Sequence, residues 1–127
     1  MAYKYDDQNV FAKILRGEIP NNTVLETDHT LAFHDINPSA PVHVLVIPKG
    51  QYVNFDHFCT EAKSEEIEDF ARTCGRLARD LGIAQASGGD GYRTISNTGP
   101  NGNQDVPHYH LHMLGGRPLG SMIKRIA

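Results

Sequence analysis

Between Lys63 and Leu81 apolar residues recur at spacings of three and four. Ile67, Phe70, Ala71, Cys74, Leu77, Ala78 and Leu81 fall on one side of a helix. The other side carries Glu65, Glu66, Glu68, Asp69, Arg72, Arg76, Arg79 and Asp80, acids early and bases late, as the helix dipole favours. That charged side reads as a solvated face, and Gly82 supplies a stop. A shorter helix is predicted over about Asn9 to Arg16. Asp7 or Asn9 caps it, Val10, Phe11, Ile14 and Leu15 form its apolar face, and Gly17 ends it.

Elsewhere the period drops toward two. After a turn at Pro20-Asn21-Asn22, Thr23 to Thr27 and Thr30 to His34 read as strands joined at Asp28-His29. Val42 to Ile47, closed by Pro48, reads as a central strand. Tyr92 to Asn97 and Pro107 to Leu114 are two more, separated by a glycine-containing loop at Gly99 to Asn103. Strands outnumber helices and several are joined as hairpins. The expected class is α+β: an antiparallel sheet of about five strands with one long and one short helix.

The chain has 127 residues, enough for one domain with a real core, and no internal repeat. With 39% hydrophobic and 21% charged residues it has an ordinary globular composition. The net charge of −3 and the lack of a strongly basic stretch argue against a nucleic-acid partner. Val44 to Ile47, the longest apolar run, is too short to span a bilayer, so no membrane partner is expected. The N-terminal residues have no apolar core of a secretory signal. Two cysteines, Cys59 and Cys74, are too few for a disulfide scaffold. A cytoplasmic, reducing location is the simplest expectation.

The chemistry concentrates in one place. Three of the seven histidines occupy His108-Tyr109-His110-Leu111-His112. On a strand side chains alternate, so His108, His110 and His112 share one face, about 6.8 Å apart at about 3.4 Å per residue. Tyr109, Leu111 and Met113 share the other. Three readings follow. The row can be exposed or structurally satisfied imidazoles. It can hold zinc, given a further ligand such as Asp105 or His43. Or one neutral imidazole can attack phosphorus and carry the group transiently, while its neighbours donate hydrogen bonds to the phosphoryl oxygens or protonate the leaving group. The loop from Gly99 to Gln104, just upstream, can present backbone N–H groups to the same oxygens.

His108-Tyr109-His110-Leu111-His112-Met113-Leu114 resembles the motif of the histidine-triad (HIT) family, in which histidines alternate with apolar residues. The similarity extends to Phe11 to Ile14 with Glu18-Ile19-Pro20, Ala32 to Pro38, Ala40 to His43, Val46 to Lys49, Asp90 to Arg93, Asn97 and Gly115 to Gly120, and so over nearly the whole chain. It is closest to the Hint branch. The resemblance implies a single HIT domain over residues 1–127 and a homodimer whose sheets join into one. It implies hydrolysis of the P–N bond in adenosine or guanosine 5′-phosphoramidates, with no metal or other cofactor. Carried over by position, His110 is the nucleophile that forms a nucleotidyl-histidine intermediate, and His43, His108 and His112 complete the catalytic set. Asp35 would bind the ribose hydroxyls and Ile36 would pack by the base. Asn97, the Asn103-Gln104-Asp105 backbone and His112 would hold the phosphate. Without the resemblance Asp35 reads equally well as a turn-capping acid, and His43 as a satisfied core histidine.

Two departures stand out. Many family members carry Ser or Thr where this chain has Asp105, and an anion is unfavourable beside a phosphate, so its N–H rather than its carboxylate is expected to meet the ligand. The chain also ends Ser121 to Ala127 without tryptophan. Alternative readings are a dinucleoside-polyphosphate hydrolase of the Fhit branch, against which Gly115-Gly116-Arg117 argues, and a nucleotide-binding regulator with incidental catalysis.

Overall fold

The computed structural model describes residues 3–126. Five strands form one sheet: β1 Thr23–Glu26, β2 Thr30–His34, β3 Val42–Pro48, β4 Tyr92–Ser96 and β5 Leu111–Gly115. They lie in the order β1-β2-β3-β5-β4, every neighbouring pair antiparallel. The helices are α1 Val10–Leu15, α2 Phe55–Glu61 and α3 Ser64–Asp80. The expected α+β class and five-stranded antiparallel sheet are both present.

The alternation along β2, β3 and β5 sorts two cores. Ala32, Val44, Val46 and Met113 face one way and pack with Phe58 of α2 and with Phe70, Leu77 and Ala78 of α3. Leu31, Phe33, Leu45 and Ile47 face the other way and meet Phe11 of α1. β3 is therefore buried on both faces, which is why it reads as a nearly unbroken apolar run. Six residues of α1 cannot cover the second face. The uncovered part, over β3 and β5, is where the histidines lie.

Local chemistry sets the helix ends. Asn9 caps α1 by accepting from the Ala12 N–H at 2.9 Å. The Glu66 carboxylate accepts from the Lys63 N–H at 3.1 Å at the start of α3. Gly82 follows α3 with φ +73°, a conformation a Cβ would resist.

Two expectations need correction. There is a second short helix, α2, capped by Asn54, whose side chain accepts from the His57 N–H at 3.0 Å. Phe55 and Phe58 are its only large apolar residues, and its seven residues are mostly aromatic, polar or β-branched, so no helical stripe betrays it. The last strand begins at Leu111, not Pro107. Val46 pairs with Leu111, so continuing the register would set Pro48 opposite Tyr109. Pro48 has no N–H for the ladder, and its carbonyl is taken by His108. The Tyr109 N–H turns instead to the Tyr52 carbonyl, 2.7 Å away.

Candidate active site

Although His108 and His110 precede the strand, the side-chain alternation persists. Phe11 lies edge-on to both rings, centroids 6.2 and 4.9 Å away, and the His110 and His112 rings are 5.1 Å apart. Tyr109 points the other way and stacks on Phe58 at 5.2 Å. His43 enters from β3, its ring 5.2 Å from that of His112. The structure thus brings together all four histidines expected in the site.

Each ring has partners that decide which nitrogen holds the proton. A carbonyl only accepts, so His108 carries its proton on Nε2 and donates it to Pro48 O at 2.8 Å. Its Nδ1 accepts from the Tyr5 hydroxyl at 2.6 Å. His110 donates from Nδ1 to the His108 carbonyl at 2.8 Å, so in the neutral ring Nε2 has the free lone pair. On His43, Nδ1 accepts from the Ser39 N–H at 3.0 Å, so the proton sits on Nε2. That Nε2–H donates to His112 Nδ1 at 2.9 Å, and His112 keeps its own proton on Nε2. The pattern therefore juxtaposes a bare nitrogen on His110 with an N–H donor on His112.

Burial supports the neutral forms of His108 and His112. His108 is fully buried, and burial pushes its pKa down to about 4. Burial, then His110 and His43, hold His112 below its ordinary value. His108 is uncharged near neutrality and works as a strut between Tyr5, Pro48 and His110.

A cavity of about 310 Å³ opens beside this cluster, at the small end of the range for small-molecule sites. Phe11, Ile14, Ile19 and Phe33 give it an apolar wall, and Asp35, Asp105, His110 and His112 line it too. Ile36 stands at its edge, 89% exposed, an apolar side chain with nothing over it. Among the described residues, no lysine or arginine lines it. A larger hollow of about 630 Å³, bordered by Gly82, Gly89, Gly91 and Arg117, contains none of the histidines.

Asp35 shows the turn-capping bond and a second contact, to His43. Oδ1 accepts from the Asn37 N–H at 2.8 Å, a turn-capping bond, while Oδ2 lies 3.4 Å from His43 Nε2. The loop before the triad differs from expectation. The N–H groups of Gly102, Asn103 and Gln104 are spent on Thr98, Pro100 and Gly99 carbonyls. The Gln104 side chain braces the loop, donating to Val53 O and Val106 O. Asn103 sits at φ +56°, a turn conformation. Asn97, Asn103 and Gln104 lie outside the cavity lining. Asn97 follows Ser96, whose partner is Leu111, so the register sets it beside His110 at the sheet edge.

Asp105 departs further. Its carboxylate addresses the site: Oδ1 is 3.6 Å from His110 Nε2, on a side chain 78% exposed. For a cation, the donors that converge are Asp35, His43 and His112, with one ligand atom from each within 4.8 Å of the others. Asp105 is not in that group. An ion there would have to displace the proton shared between His43 and His112. Sequence reasoning did not single out Tyr5, Ser39 or Pro48 as partners of the histidines. Two of the three act through backbone atoms, which leave no trace in residue type.

The HIT domain family matches residues 16–119. An uncharacterised 13.2 kDa HIT-like protein of Azospirillum brasilense is 55% identical, covering 98% of this chain and 99% of the relative. The purine nucleoside phosphoramidase of Escherichia coli K12 is 39% identical, covering 92% and 94%. Among solved structures, a HIT family hydrolase from Clostridium thermocellum superposes with a TM-score of 0.80 at 39% identity, covering 93% of this chain and 98% of that one.

Proposed function

The chain belongs to the HIT domain family, and from that premise we propose that it is a purine nucleoside phosphoramidase. It hydrolyses the P–N bond of adenosine or guanosine 5′-phosphoramidates through a nucleotidyl group carried on His110. One observation carries this reading: the Nδ1–H of His110 is tied to the His108 carbonyl, so the bare Nε2 is the nitrogen presented at the cavity.

In the first half, the Nε2 lone pair forms a bond to phosphorus and the P–N bond breaks. The departing nitrogen keeps the electron pair and takes a proton through His112 Nε2–H, which solvent resupplies. In the second half, water adds to phosphorus and the Nε2–P bond breaks, its pair returning to His110. The water's proton goes to solvent. The half-buried Asp35 carboxylate accepts hydrogen bonds from the ribose hydroxyls. The apolar wall and Ile36 take the base. We read the whole chain as one such domain.

His110→Ala is expected to keep the fold and nucleotide affinity and to lose turnover. Quenching a reaction of the unaltered enzyme should leave a nucleotidyl adduct on His110, found by peptide mass spectrometry. Retained turnover in the variant refutes the nucleophile.

The joined sheets of a homodimer have a candidate edge in β4, where Tyr92 is 46% and Ile95 37% exposed. Sedimentation equilibrium tests it: a dimer that Ile95→Lys converts to monomer supports β4 as the interface, and a monomeric protein refutes it.

A further inference from the structure

His110 Nε2, the atom that attacks in the function proposed above, has a carboxylate close by: Asp105 Oδ1 lies 3.6 Å away. The Asp105 side chain is 78% exposed, so this charge sits on the solvent side of the cavity, whereas Asp35 is 19% exposed. Among the described residues, no lysine or arginine of the lining offsets either carboxylate. In-line displacement at phosphorus expels the leaving group on the side opposite His110 Nε2, while the apolar wall and Asp35 hold the nucleoside. The part of the substrate beyond the scissile bond is then left toward the open side of the cavity, where the exposed Asp105 carboxylate is the fixed charge among the lining residues.

We propose that Asp105 is a specificity-determining residue that selects phosphoramidates whose amine portion carries a positive charge, and disfavours leaving groups that continue as an anion or a phosphate chain. The proposal rests on the phosphoramidase reading and deepens it by naming the substrate class. It explains a carboxylate that otherwise only opposes a bound phosphate. A second unit charge about 6 Å from Asp105, in a medium between protein and water, changes the rate by about tenfold.

The test uses three adenosine 5′-phosphoramidates built on alkyl amines of one length, ending in a methyl, an ammonium or a carboxylate group. kcat/KM is measured for the full-length protein and for Asp105→Asn. The unaltered protein is expected to prefer the ammonium substrate over the methyl one by about tenfold and to disfavour the carboxylate one by a similar factor. Asp105→Asn should compress all three to within about twofold of one another. Because the readout is a ratio, an overall loss of activity in the variant does not blur it. Asp105→Ser provides a second uncharged variant, expected to give the same compression. Added salt should shrink the preference in the unaltered protein and leave the variants' ratios flat. Equal turnover of the three substrates by the unaltered protein overturns the inference and leaves the phosphoramidase reading standing. So does a preference that survives both substitutions. Turnover of none of the three overturns the phosphoramidase reading, and the inference with it.

Discussion

Acidification should destabilise this protein through His108. Its imidazole is fully buried between Pro48 O and the Tyr5 hydroxyl, with a folded-state pKa of about 4 against an ordinary 6.5. The folded value is the lower one, so the folded state disfavours the charged ring. The stabilising contribution is complete above pH 6.5 and is lost as pH falls from there toward 4. Linkage between those two values gives a loss of about 2 kcal/mol between pH 7 and pH 4.5. That is a sizeable share of the roughly 5–15 kcal/mol that holds a domain of this size together. In urea it corresponds to a midpoint lower by about 1 M. Asp69 does not mimic the effect. Burial works against its charge, but the Thr27 and Thr30 hydroxyls outweigh burial and hold its carboxyl below the ordinary range, so its own loss comes at lower pH. The assay is urea unfolding at pH 7 and 4.5 for the unaltered protein and for His108→Gln, whose amide can still donate to Pro48 O. The variant should be less stable at pH 7 and lose about 2 kcal/mol less on acidification. Parallel losses in the two proteins, or an NMR titration of His108 with a midpoint at 6.5 or above, refute the reasoning.

Asp35→Asn should weaken adenosine monophosphate binding by about tenfold, the worth of a charge-assisted bond to a hydroxyl, and should barely affect the 2′,3′-dideoxy nucleotide; calorimetry of both ligands checks it. Gly102→Ala should cost about 1–3 kcal/mol and lower turnover. A Cβ there would lie 2.5 Å from Thr98 O and 2.6 Å from Thr98 N, backbone atoms that cannot swing aside, and the loop would have to shift beneath Gln104. Thermal melting and a steady-state assay on the same preparation read both effects.

Much of the fold can be read from periodicity because both of its large signals report burial. The three-and-four spacing between Ile67 and Leu81 maps onto the face that α3 packs against the sheet, and the run Val44 to Ile47 marks the strand buried on both sides. α2 escaped because two phenylalanines in seven residues make no stripe and its cap is a lone asparagine. The final strand is shorter than the alternation suggests because alternation outlives the ladder: His108 and His110 keep facing Phe11 after Pro48 has ended the pairing. In the site, the shared face of the three histidines was legible from their spacing. The family resemblance, not the spacing, singled out His43 and Asp35. The loop before the triad turns differently from the sequence expectation for a physical reason. Glycine and asparagine permit a loop whose amides point outward, yet here the chain turns tightly enough to consume three of them internally. The aim of the Asp105 carboxylate was also hidden, since a residue's type says nothing about where a half-turn of loop will send it.

Main-chain atoms, namely Ser39 N, Pro48 O and His108 O, anchor the tautomers of three of the four rings. Apart from a proline at Ser39, which would remove its N–H, replacing a side chain leaves these main-chain groups in place. A change in the cleft lining can therefore alter what the cavity accepts without resetting which nitrogen of His110 holds the proton.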